Sequence, residues 1–310
     1  MNILITNISR RVYFVDFLSK INKNLNIHLA NNDTLSATLN HIKTKNHKIP
    51  LVSEGGKKYF KAINKILIKN KINLIIPLTN HDLKILSIGK EEMKKYKCDV
   101  LVSSYSLIKK LLDKKSAYNL CIKKNIITPK TFFNLKQSKL SKVNLFIKKD
   151  RFGNASSGLE IIKNLKKHHF NKNSIVQELI RGNELHFDIL NDFSGKYISS
   201  CVKKKISMRA GETDQVEIVY NKKLENTAKQ ISKLLGHIGN LDCDAIVDKK
   251  GKIYFLDFNP RFGGGYPFTH LAGLNFLKSI IYNIKKKRLN LPIKPKLIKA
   301  SKGICVKICK

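Results

Sequence analysis

Three oxygen-bearing side chains late in the chain have the spacing of a metal site. Asp257 and Asn259 alternate with apolar residues over residues 253–259, which predicts a strand that points both polar groups to one face. Residues 241–247 predict a partner strand that places Asp244 opposite Asp257. Carboxylates about 5 Å apart repel each other unless a cation lies between them, and oxygen ligands suit Mg²⁺ or Mn²⁺ on nucleotide phosphates. An ordinary hairpin with acidic residues on a wet face would share this pattern.

The expected turn of this hairpin fixes its register. With Lys250 and Gly251 as the two turn residues, Asp242 falls opposite Asn259. The alternation then predicts one shared apolar face on the second strand, formed by Tyr254, Leu256 and Phe258. Directly after the strand, Arg261 and three glycines enter a loop.

Composition favours a globular protein with a lysine-rich surface. The chain has 310 residues, 42% of them hydrophobic, which is enough for two domains and a large core. Its formal net charge of +38 would suit a nucleic-acid or anionic-surface binding protein. However, only seven of the 60 basic residues are arginines, and nucleic-acid surfaces draw heavily on arginine. We therefore assign most lysines to a solvated coat and do not expect a nucleic-acid partner.

The few arginines are informative because lysine is so common in this chain. Five of the seven fall in segments that other features single out: Arg10, Arg11, Arg151, Arg209 and Arg261. A planar guanidinium that grips phosphate or carboxylate with two parallel N–H groups is not equivalent to a lysine ammonium. These arginines are therefore candidate ligand-binding residues.

The cysteines and the N-terminus predict a cytoplasmic protein. The six cysteines are scattered without a CxxC pair, and no Cys/His cluster completes a zinc site, so we expect free thiols. The N-terminus predicts a short strand rather than a signal peptide. No apolar run approaches the length of a membrane span, so we expect no membrane insertion.

Residues 1–105 alternate short apolar strands with helices, which predicts a parallel sheet covered on both faces. Ligands bind at the carboxyl ends of such strands, here near residues 6–11, Asp33 and residues 79–82. The first strand is not followed by G-x-G-x-x-G, so we expect no dinucleotide site. Asp33 could bind a ribose or cap a loop.

The rest of the chain predicts antiparallel strands joined by polar loops. The loop at residues 150–158 could fold over phosphates, with Lys149 entering from the strand before it, or could simply connect two strands. Glu178 and Glu184 flank a tight turn and could hold ribose hydroxyls and an adenine amino group.

Two further segments carry weaker expectations. Residues 202–212 are expected to carry Arg209 into a loop. Residues 303–307 predict a final strand.

Four separated segments have an order that is found in one superfamily. They are Asp113-Lys114, residues 149–158, residues 177–184, and Asp244 with residues 257–261. This ordered set resembles the ATP-grasp superfamily, and in particular single-module proteins similar to the carbamoyl phosphate synthetase large subunit. The resemblance covers nearly the whole chain.

The resemblance implies a fold of α/β plus α+β type. An N-terminal parallel-sheet, Rossmann-like domain, called the pre-ATP-grasp domain, would span residues 1–105. A two-lobed ATP-grasp module would follow at residues 106–310. Its lid lobe would span about residues 115–183 and its metal-binding lobe about residues 184–310.

The resemblance also implies roles for individual residues. Lys114 and Lys149 would bind the phosphates of ATP, and Arg261 would lie beside the reacting phosphate. Further ATP contacts are implied for the lid residues Ser156 and Gly158, the hinge residues Glu178, Leu179 and Ile180, and the ribose acid Glu184. Two Mg²⁺ or Mn²⁺ ions would be held by Asp244, Asp257 and Asn259.

The substrate end of the implied site is less defined. Arg209 is expected to act in catalysis with Arg261, and the residues expected to contact substrate are Arg10, Arg11, Gly263, Gly264, Gly265 and His270. His270 could act as a base near an incoming amine, or could be a hydrogen-bonded residue at a helix start. An acidic pair that relatives carry after the third strand is here Asn80 and Asp82, a departure that concerns substrate identity more than ATP use.

Superfamily members activate a carboxylate as an acyl phosphate, from which an amine displaces phosphate. The resemblance therefore implies an ADP-forming carbon–nitrogen ligase that takes ATP, Mg²⁺, and small-molecule carboxylate and amine substrates. An ATP-dependent carboxylase or phosphoryl-transfer enzyme on the same scaffold stays open as an alternative. A basic nucleic-acid or anionic-surface binding protein is an alternative of a different class. The oligomeric state is open too, a homodimer included.

Overall fold

Three sheets organise the chain. The structure is a computed structural model, and it describes residues 1–33, 36–40, 44–138, 144–153, 158–209, 211–287 and 289–303. Strands in the N-terminal third pair in parallel, and strands in the remaining chain pair antiparallel. A parallel-sheet region followed by a region of antiparallel sheets confirms the predicted fold class.

The N-terminal sheet is covered on both faces. Its strands are β1 Asn2–Thr6, β2 Asn26–Asn31, β3 Thr44–Lys48, β4 Leu74–Pro77 and β5 Asp99–Val100, and its helices are α1 Val12–Ile21, α2 Gly56–Asn70 and α3 Asn80–Lys94. The strand order is β3-β2-β1-β4-β5. Ile3 and Ile5 of β1 lie in one core with Phe14 of α1, whereas Leu4 lies in a second core with Tyr59 of α2. Alternate residues of a parallel strand are thus buried on opposite faces.

The second sheet is small and antiparallel. Helices α4 Tyr105–Leu111 and α5 Lys114–Lys123 precede it, and its elements are β6 Thr131–Phe132, α6 Leu135–Ser138, β7 Phe146–Asp150, β8 Glu160–Ile162 and β9 Ser174–Glu178. The strand order is β6-β9-β7-β8. Four buried side chains form its core, namely Phe132, Phe146, Ile162 and Val176.

The third sheet is the largest. Its elements are β10 Asn183–Asn191, β11 Tyr197–Arg209, β12 Glu212–Val219, α7 Lys222–Leu235, β13 Gly239–Val247, β14 Ile253–Asn259, α8 Tyr266–Leu271, α9 Phe276–Ile284 and β15 Lys299–Ser301. The strand order is β14-β13-β10-β11-β12-β15. Leu185, Phe187 and Ile189 of β10 pack with Ala228 and Ile231 of α7. The opposite face of β10 therefore carries Glu184, His186 and Asp188.

The third sheet also contacts the N-terminal region. Phe14 of α1 packs edge-on against Phe262 at 5.2 Å between ring centroids, and Tyr266 of α8 lies 6.0 Å from Phe14. These rings belong to one core with Ile3 and Leu190. The shared core fixes the N-terminal sheet beside the C-terminal end of β14.

Several elements differ from the sequence-based expectations. Strand β3, helix α3 and the hairpin of β11 and β12 were not predicted, and β3 escaped notice because it is a polar, mostly exposed edge strand. The loop expected around Arg209 is wrong, because Arg209 is the last residue of β11. The expected strand at residues 303–307 falls almost entirely outside the described residues, and the strand next to it is β15.

Other expectations concern the chain as a whole. Cys98, Cys121, Cys201 and Cys243 are free and buried, in agreement with the expected thiols. None of the helices in the described ranges is long and apolar enough to cross a bilayer. The division into units at residues 105 and 106 stays a prediction.

Candidate active site

A cleft of about 810 Å³ collects residues from all three sheets. The N-terminal sheet contributes its β4–α3 connection and Arg11, the second sheet contributes β7, and the third contributes β10, β11, β13 and β14. Of the side chains expected to act, the cleft is lined by Arg11, Lys114, Lys149, Leu179, Ile180, Glu184, Asp244, Asp257, Asn259, Arg261, Gly264 and Gly265. Residues that are far apart in sequence thus face one space.

The hairpin of β13 and β14 places the acidic residues as predicted. Asp244 pairs with Asp257, and Asp242 pairs with Asn259. The expected two-residue turn is wrong, because Val247 pairs with Ile253 and the connection is the longer loop 248–252. A bulge between Ala245 and Asp244 shifts the register by one residue and restores the acidic pairs.

The bulge also changes which side chains share a face. Phe255 and Phe258 are buried and stack at 5.5 Å, whereas Leu256 lines the cleft beside Asp257. The predicted apolar face of Tyr254, Leu256 and Phe258 is therefore wrong. An extra residue in one strand reverses the alternation beyond it, so that both Leu256 and Asp257 reach the cleft.

Asp244 is held by a lysine and a histidine. Lys205 Nζ lies 2.8 Å from Asp244 Oδ1, and His186 Nδ1 lies 3.1 Å from the same oxygen. Burial acts to raise the pKa of Asp244, but Lys205 and His186 outweigh it and hold that pKa below its usual range. Both contacts use Oδ1, which leaves Oδ2 free toward the cleft within the described part of the chain.

The remaining oxygens fit a hard cation. Asp257 Oδ1 accepts a hydrogen bond from its neighbouring Phe258 amide at 3.0 Å, and Asn259 Oδ1 accepts one from Asn80 Nδ2 at 2.8 Å. Asp257 Oδ2 and the second lone pair of Asn259 Oδ1 can then join Asp244 Oδ2 around Mg²⁺. The residues present fit the predicted metal, and they would hold it through oxygen atoms alone.

Burial and neighbouring charge have opposite effects on the pKa of Asp257. Burial raises the pKa of Asp257 above its ordinary value, although Lys114 and Lys149 act to lower it. Burial likewise lowers the pKa of Lys149, even with Asp257 and Asp244 nearby. A carboxylate and an ammonium that are both desolvated in one cleft favour ligands that carry complementary charge.

Arg261 is held from two sides. Its Nη1 donates to Asp242 Oδ2 at 2.8 Å, and its Nε donates to Asn80 Oδ1 at 3.1 Å. Asn80 begins α3 of the N-terminal region and also donates to Asn259, so one amide touches both the arginine and a candidate metal ligand. Asp242 in turn lies 3.1 Å from His186 Nε2.

Two of the glycines after Arg261 are required because the loop backbone passes close to buried side chains. A Cβ on Gly263 would lie 1.7 Å from Asp242 Oδ2, and one on Gly265 would lie 3.0 Å from His186 Nε2. The loop can therefore pass over these buried groups only without side chains. Gly264 and Gly265 line the cleft, whereas the contact of Gly263 is structural.

Lys114 is positioned by a helix cap. Asp113 caps α5 and accepts two hydrogen bonds from Arg151, at 2.6 Å and 2.7 Å. Lys114 then directs its ammonium group into the cleft, where it donates to the Gly153 carbonyl at 2.5 Å. Arg151, one of the candidate ligand-binding arginines, thus connects α5 to the end of β7.

Apolar side chains line the end of the cleft near β7 and β9. Ile147 and Lys149 lie on the same face of β7, so one strand provides an apolar wall and an ammonium group. The walls of this end are Ile147, Leu159, Leu179, Ile180, Ile246 and Leu256. A flat aromatic group would fit between apolar walls contributed by two sheets.

A second layer of charge is buried beneath the cleft. Lys203 is fully buried and donates to Asp188 Oδ2 and to Thr269 Oγ1 at 2.9 Å. Thr269 and Asn240 also donate to Asp188, at 2.5 Å and 2.9 Å. The donor atoms of His186, Asp188 and Asp242 lie within 4.8 Å of one another, as in a metal site, but Lys203 and Arg261 already supply positive charge there.

Burial and neighbouring charge set the pKa of His186. Burial acts to lower this pKa, and the carboxylates around the ring, Asp242 first among them, outweigh burial and raise it. Nδ1 of the ring is hydrogen-bonded to Asp244 at 3.1 Å, and Nε2 lies 3.1 Å from Asp242 Oδ1 without hydrogen-bond geometry. His186 therefore links the acid that holds Arg261 to the acid that faces the metal position.

Other expected site residues lie elsewhere. Among the described residues, the cleft lining does not include Arg10, Gly158, Glu178, Arg209, Gly263 or His270. Arg209 is exposed and pairs with Asp214 at 3.1 Å. His270 stacks on Phe17 at 3.7 Å, where burial lowers its pKa. Ser156 lies outside the described residues.

Two of these residues border the cleft without facing it. Gly158 has φ of 65° and lies against Asp150, where a Cβ would come within 2.5 Å of Oδ1. Glu178 ends β9, and its amide donates to the Lys130 carbonyl at 2.9 Å. The hinge that follows reaches the cleft through Leu179 and Ile180.

Sequence reasoning missed the contacts of three residues that support the candidate site. His186 and Lys205 contact Asp244, and Asn80 contacts Arg261. The period-two pattern of β10 placed His186 on the face of Glu184, which was a usable signal. Lys205 sits in a run of three lysines, and only the observed register with β10 distinguishes it from its neighbours.

Comparisons with known proteins were made for sequence and for structure. A family model described as the ATP-grasp domain matches residues 111–265, half of the chain. A model described as the PylC-like N-terminal domain matches residues 3–101. No curated protein sequence matches the chain.

Solved structures share the fold at low sequence identity. An L-amino acid ligase from Bacillus licheniformis is 16% identical with a TM-score of 0.72, covering 95% of this chain and 77% of that one. The biotin carboxylase domain of 2-oxoglutarate carboxylase from Hydrogenobacter thermophilus, solved with MgADP and bicarbonate, is 13% identical with a TM-score of 0.74, covering 95% and 72%. N5-carboxyaminoimidazole synthetase from Staphylococcus aureus, solved with ADP, is 13% identical with a TM-score of 0.73, covering 95% and 79%.

Proposed function

The chain belongs to the ATP-grasp family, and on that premise we propose that it is an ADP-forming ligase that joins a small carboxylic acid to an amine. The observation that carries the proposal is the single cleft that contains Lys149, Asp257 and Arg261. Two lysines for the phosphates, three oxygen-bearing side chains for Mg²⁺ and one arginine for the reacting phosphate line this one cleft, which supports the proposal. The cytoplasm is the proposed location.

We place ATP along the length of the cleft. The adenine lies between the apolar walls, beside the Leu179 and Ile180 backbone, and Glu184 is close to the ribose. The phosphates lie between Lys114 and Lys149. Asp244, Asp257 and Asn259 would hold Mg²⁺, which would neutralise charge on the phosphates.

The protein groups position the reaction rather than react covalently. A carboxylate is a poor electrophile, and transfer of the terminal phosphoryl group of ATP gives it a leaving group. Lys149 and Arg261 stabilise the charge on the transferring phosphoryl group. An amine then attacks the acyl carbon, phosphate leaves, and the amine loses a proton to give the amide.

The rigid support of Arg261 favours this role. Asp242 and Asn80 fix its guanidinium from two sides, so little reorganisation is needed when charge develops. A group that is already oriented stabilises the transition state more than one that must first be ordered. The Nη2 nitrogen of Arg261 stays available to an anionic oxygen within the described structure.

The test is an ADP-release screen of carboxylic acids crossed with amino acids, ammonia and amino sugars. Each pair is measured with ATP and Mg²⁺, and product mass is checked for the hits. We expect Mg²⁺-dependent ADP release that requires both an acid and an amine. Asp257→Asn, which keeps the size of the side chain, should lower the rate by about 10³-fold.

Two controls decide between activities. Bicarbonate with each amine is included, and product that carries a new carboxyl group from bicarbonate would replace the ligase proposal with a carboxylase. ADP release that needs an acid but no amine, with a stable phosphorylated product, would replace it with phosphoryl transfer. No ADP release under any condition, together with salt-dependent DNA binding that survives Asp257→Asn, would favour the nucleic-acid alternative.

A further inference from the structure

Arg11 lies at the edge of the cleft that faces the N-terminal sheet. Arg11 lies in the connection between β1 and α1, directly before the first residue of α1, and its partly buried side chain lines the cleft. Nη1 donates to the Leu78 carbonyl at 3.0 Å, which fixes the side chain against the end of β4. The side chain is therefore anchored at one nitrogen only.

The partners of Arg11 differ from those of the other partly buried arginines. Arg151 pairs with Asp113 and Arg261 pairs with Asp242, each within 3 Å. Within the described residues, no carboxylate forms an ion pair with Arg11, and its Nε is buried without a hydrogen-bond partner. A buried charged donor without an acceptor is costly, so an acceptor that comes within reach of this nitrogen when the cleft is occupied would bind favourably.

The free edge of the guanidinium has a defined shape. Because Nη1 is occupied by Leu78, the Nε and Nη2 nitrogens form the edge that remains. Two parallel N–H groups on one edge match the two oxygens of a carboxylate. The anchor thus leaves Arg11 prepared for bidentate binding of a planar anion.

The position of Arg11 relates this edge to the reaction. Leu78, which anchors it, lies two residues before Asn80, and Asn80 contacts both Arg261 and Asn259. An anion on Arg11 would therefore lie on the N-terminal side of the place where Arg261 meets the phosphate. A carboxylate with both oxygens engaged by one arginine is a poor nucleophile, so it is not the carboxylate that takes the phosphoryl group.

Resting on the proposed function, we infer that Arg11 binds a second, unreacting carboxylate of the substrates. The substrate class is then a dicarboxylic acid, or an amine that carries its own carboxylate, such as an α-amino acid. A simple monocarboxylic acid coupled to a simple amine would leave Arg11 without a partner. Arg11 is in this sense a specificity-determining residue.

The experiment compares matched probes that differ only in the second carboxylate. Glutarate is compared with butyrate, and L-lysine with cadaverine, by equilibrium binding to the full chain saturated with Mg²⁺ and ADP. We expect at least one pair in which the carboxylate-bearing probe binds about 10- to 100-fold more tightly. Equal binding within both pairs would overturn the inference.

Three variants test the residue. Arg11→Met should abolish the difference within the pair, and Arg11→Lys should keep only part of it, because an ammonium has no fork. Arg10→Met is the matched comparison, since Arg10 is exposed and outside the cleft lining, and should keep the full difference. Discrimination that survives in Arg11→Met would overturn the inference. ADP binding checks that each variant is folded, and Arg11→Gln replaces Arg11→Met if the latter does not bind ADP.

The two proposals fail in different ways. Binding of the probes does not require turnover, so Arg11-dependent binding without any amide product would contradict the ligase and leave this inference standing. Amide formation from a simple acid and a simple amine, unchanged in Arg11→Met, would overturn this inference and support the ligase.

Discussion

Two groups of charged residues, one lining the cleft and one largely buried beneath it, have opposite surroundings. The paired floor consists of His186, Asp188, Lys203, Lys205, Asp242 and Asp244, in which every charge has an opposite charge in contact. The open rim consists of Arg11, Lys114 and Lys149, whose contacts within the described structure are to carbonyl oxygens or to no acceptor. The floor satisfies its own charges, whereas the rim leaves them for a ligand.

The two groups are expected to contribute to different properties, the floor to stability and the rim to ligand binding. Loss of one floor residue leaves an uncompensated buried charge, which destabilises the fold. Loss of a rim residue removes a desolvated cation that forms no close ion pair within the described residues, so the fold is little affected and ligand binding is lost. Substitutions in the floor should therefore lower the free energy of unfolding, whereas substitutions in the rim should weaken ligand binding or activity.

The strongest break in the paired floor is Lys203→Met. Asp188 would lose the ammonium group that pairs with its fully buried carboxylate, so the free energy of unfolding should fall by about 3–5 kcal/mol. Urea denaturation measures the change.

The double variant Lys203→Met with Asp188→Leu is the control. It removes both charges, and much of the lost stability should return. A Lys203→Met protein as stable as the original would mean that this buried pair does not support the floor.

Two buried histidines extend the comparison to acid. His186 contacts carboxylates, but His237 donates from Nε2 to the Ile189 carbonyl at 3.0 Å, and burial lowers its pKa to about 4. Neutral His237 therefore contributes stability fully above pH 6.5, and this contribution is lost as the pH falls from 6.5 to about 4. At about 1.4 kcal/mol per pH unit, the loss is about 3 kcal/mol.

Denaturation at pH 7 and pH 4 tests this assignment. His237→Gln removes the titrating group. Between pH 7 and pH 4, the free energy of unfolding of this variant should fall by about 3 kcal/mol less than that of the original protein. Parallel losses in the two proteins would show that His237 does not carry this part of the acid sensitivity.

In the open rim, Lys149→Met should lower the rate of ADP release by about 100-fold. The ammonium group that neutralises phosphate is lost, but burial of an apolar side chain costs nothing in desolvation. The midpoint of urea denaturation should therefore stay the same or rise. A large loss of stability would place Lys149 with the paired floor and contradict the division.

The smallest effect is expected where floor and rim meet. Asn80→Ala removes the hydrogen bonds to Arg261 and Asn259, and should lower kcat by about tenfold with little change in the KM for ATP. Asn80→Gln should restore part of the rate if the longer amide reaches either partner. Asn64→Ala is the control, because Asn64 bonds to Glu92 on the surface of the same region. Equal effects of the two alanine variants would indicate a general loss of stability.

The sequence allowed the fold class and the acidic register to be predicted. Alternation identified β10, β13 and β14, but the predicted opposition of Asp244 and Asp257 holds only because the bulge offsets the wrongly predicted turn. Local patterns identified the strands because each contributes apolar side chains to one buried core that α7 shares.

The rest depended on contacts between distant segments. Nothing in the local pattern marks the bulge before Asp257, which left Leu256 on the wrong face. Lys205 and Asn80 are distinguished only by what they touch, 39 and 179 residues away along the chain at Asp244 and Asn259. Arg209 and His270 were chosen for their residue types, and the structure places both away from the cleft.

The bulge before Asp257 has a consequence for changes in chain length. It separates the outer hairpin, where Val247 pairs with Ile253, from the inner pairs that hold the acids. The loop that joins Val247 to Ile253 is solvent-facing and is closed by its own hydrogen bond between Asp248 and Lys252. An insertion at Lys249–Lys250 would therefore be absorbed before it reaches Asp244. This loop is a suitable place to open the chain for a circular permutant or an inserted reporter domain.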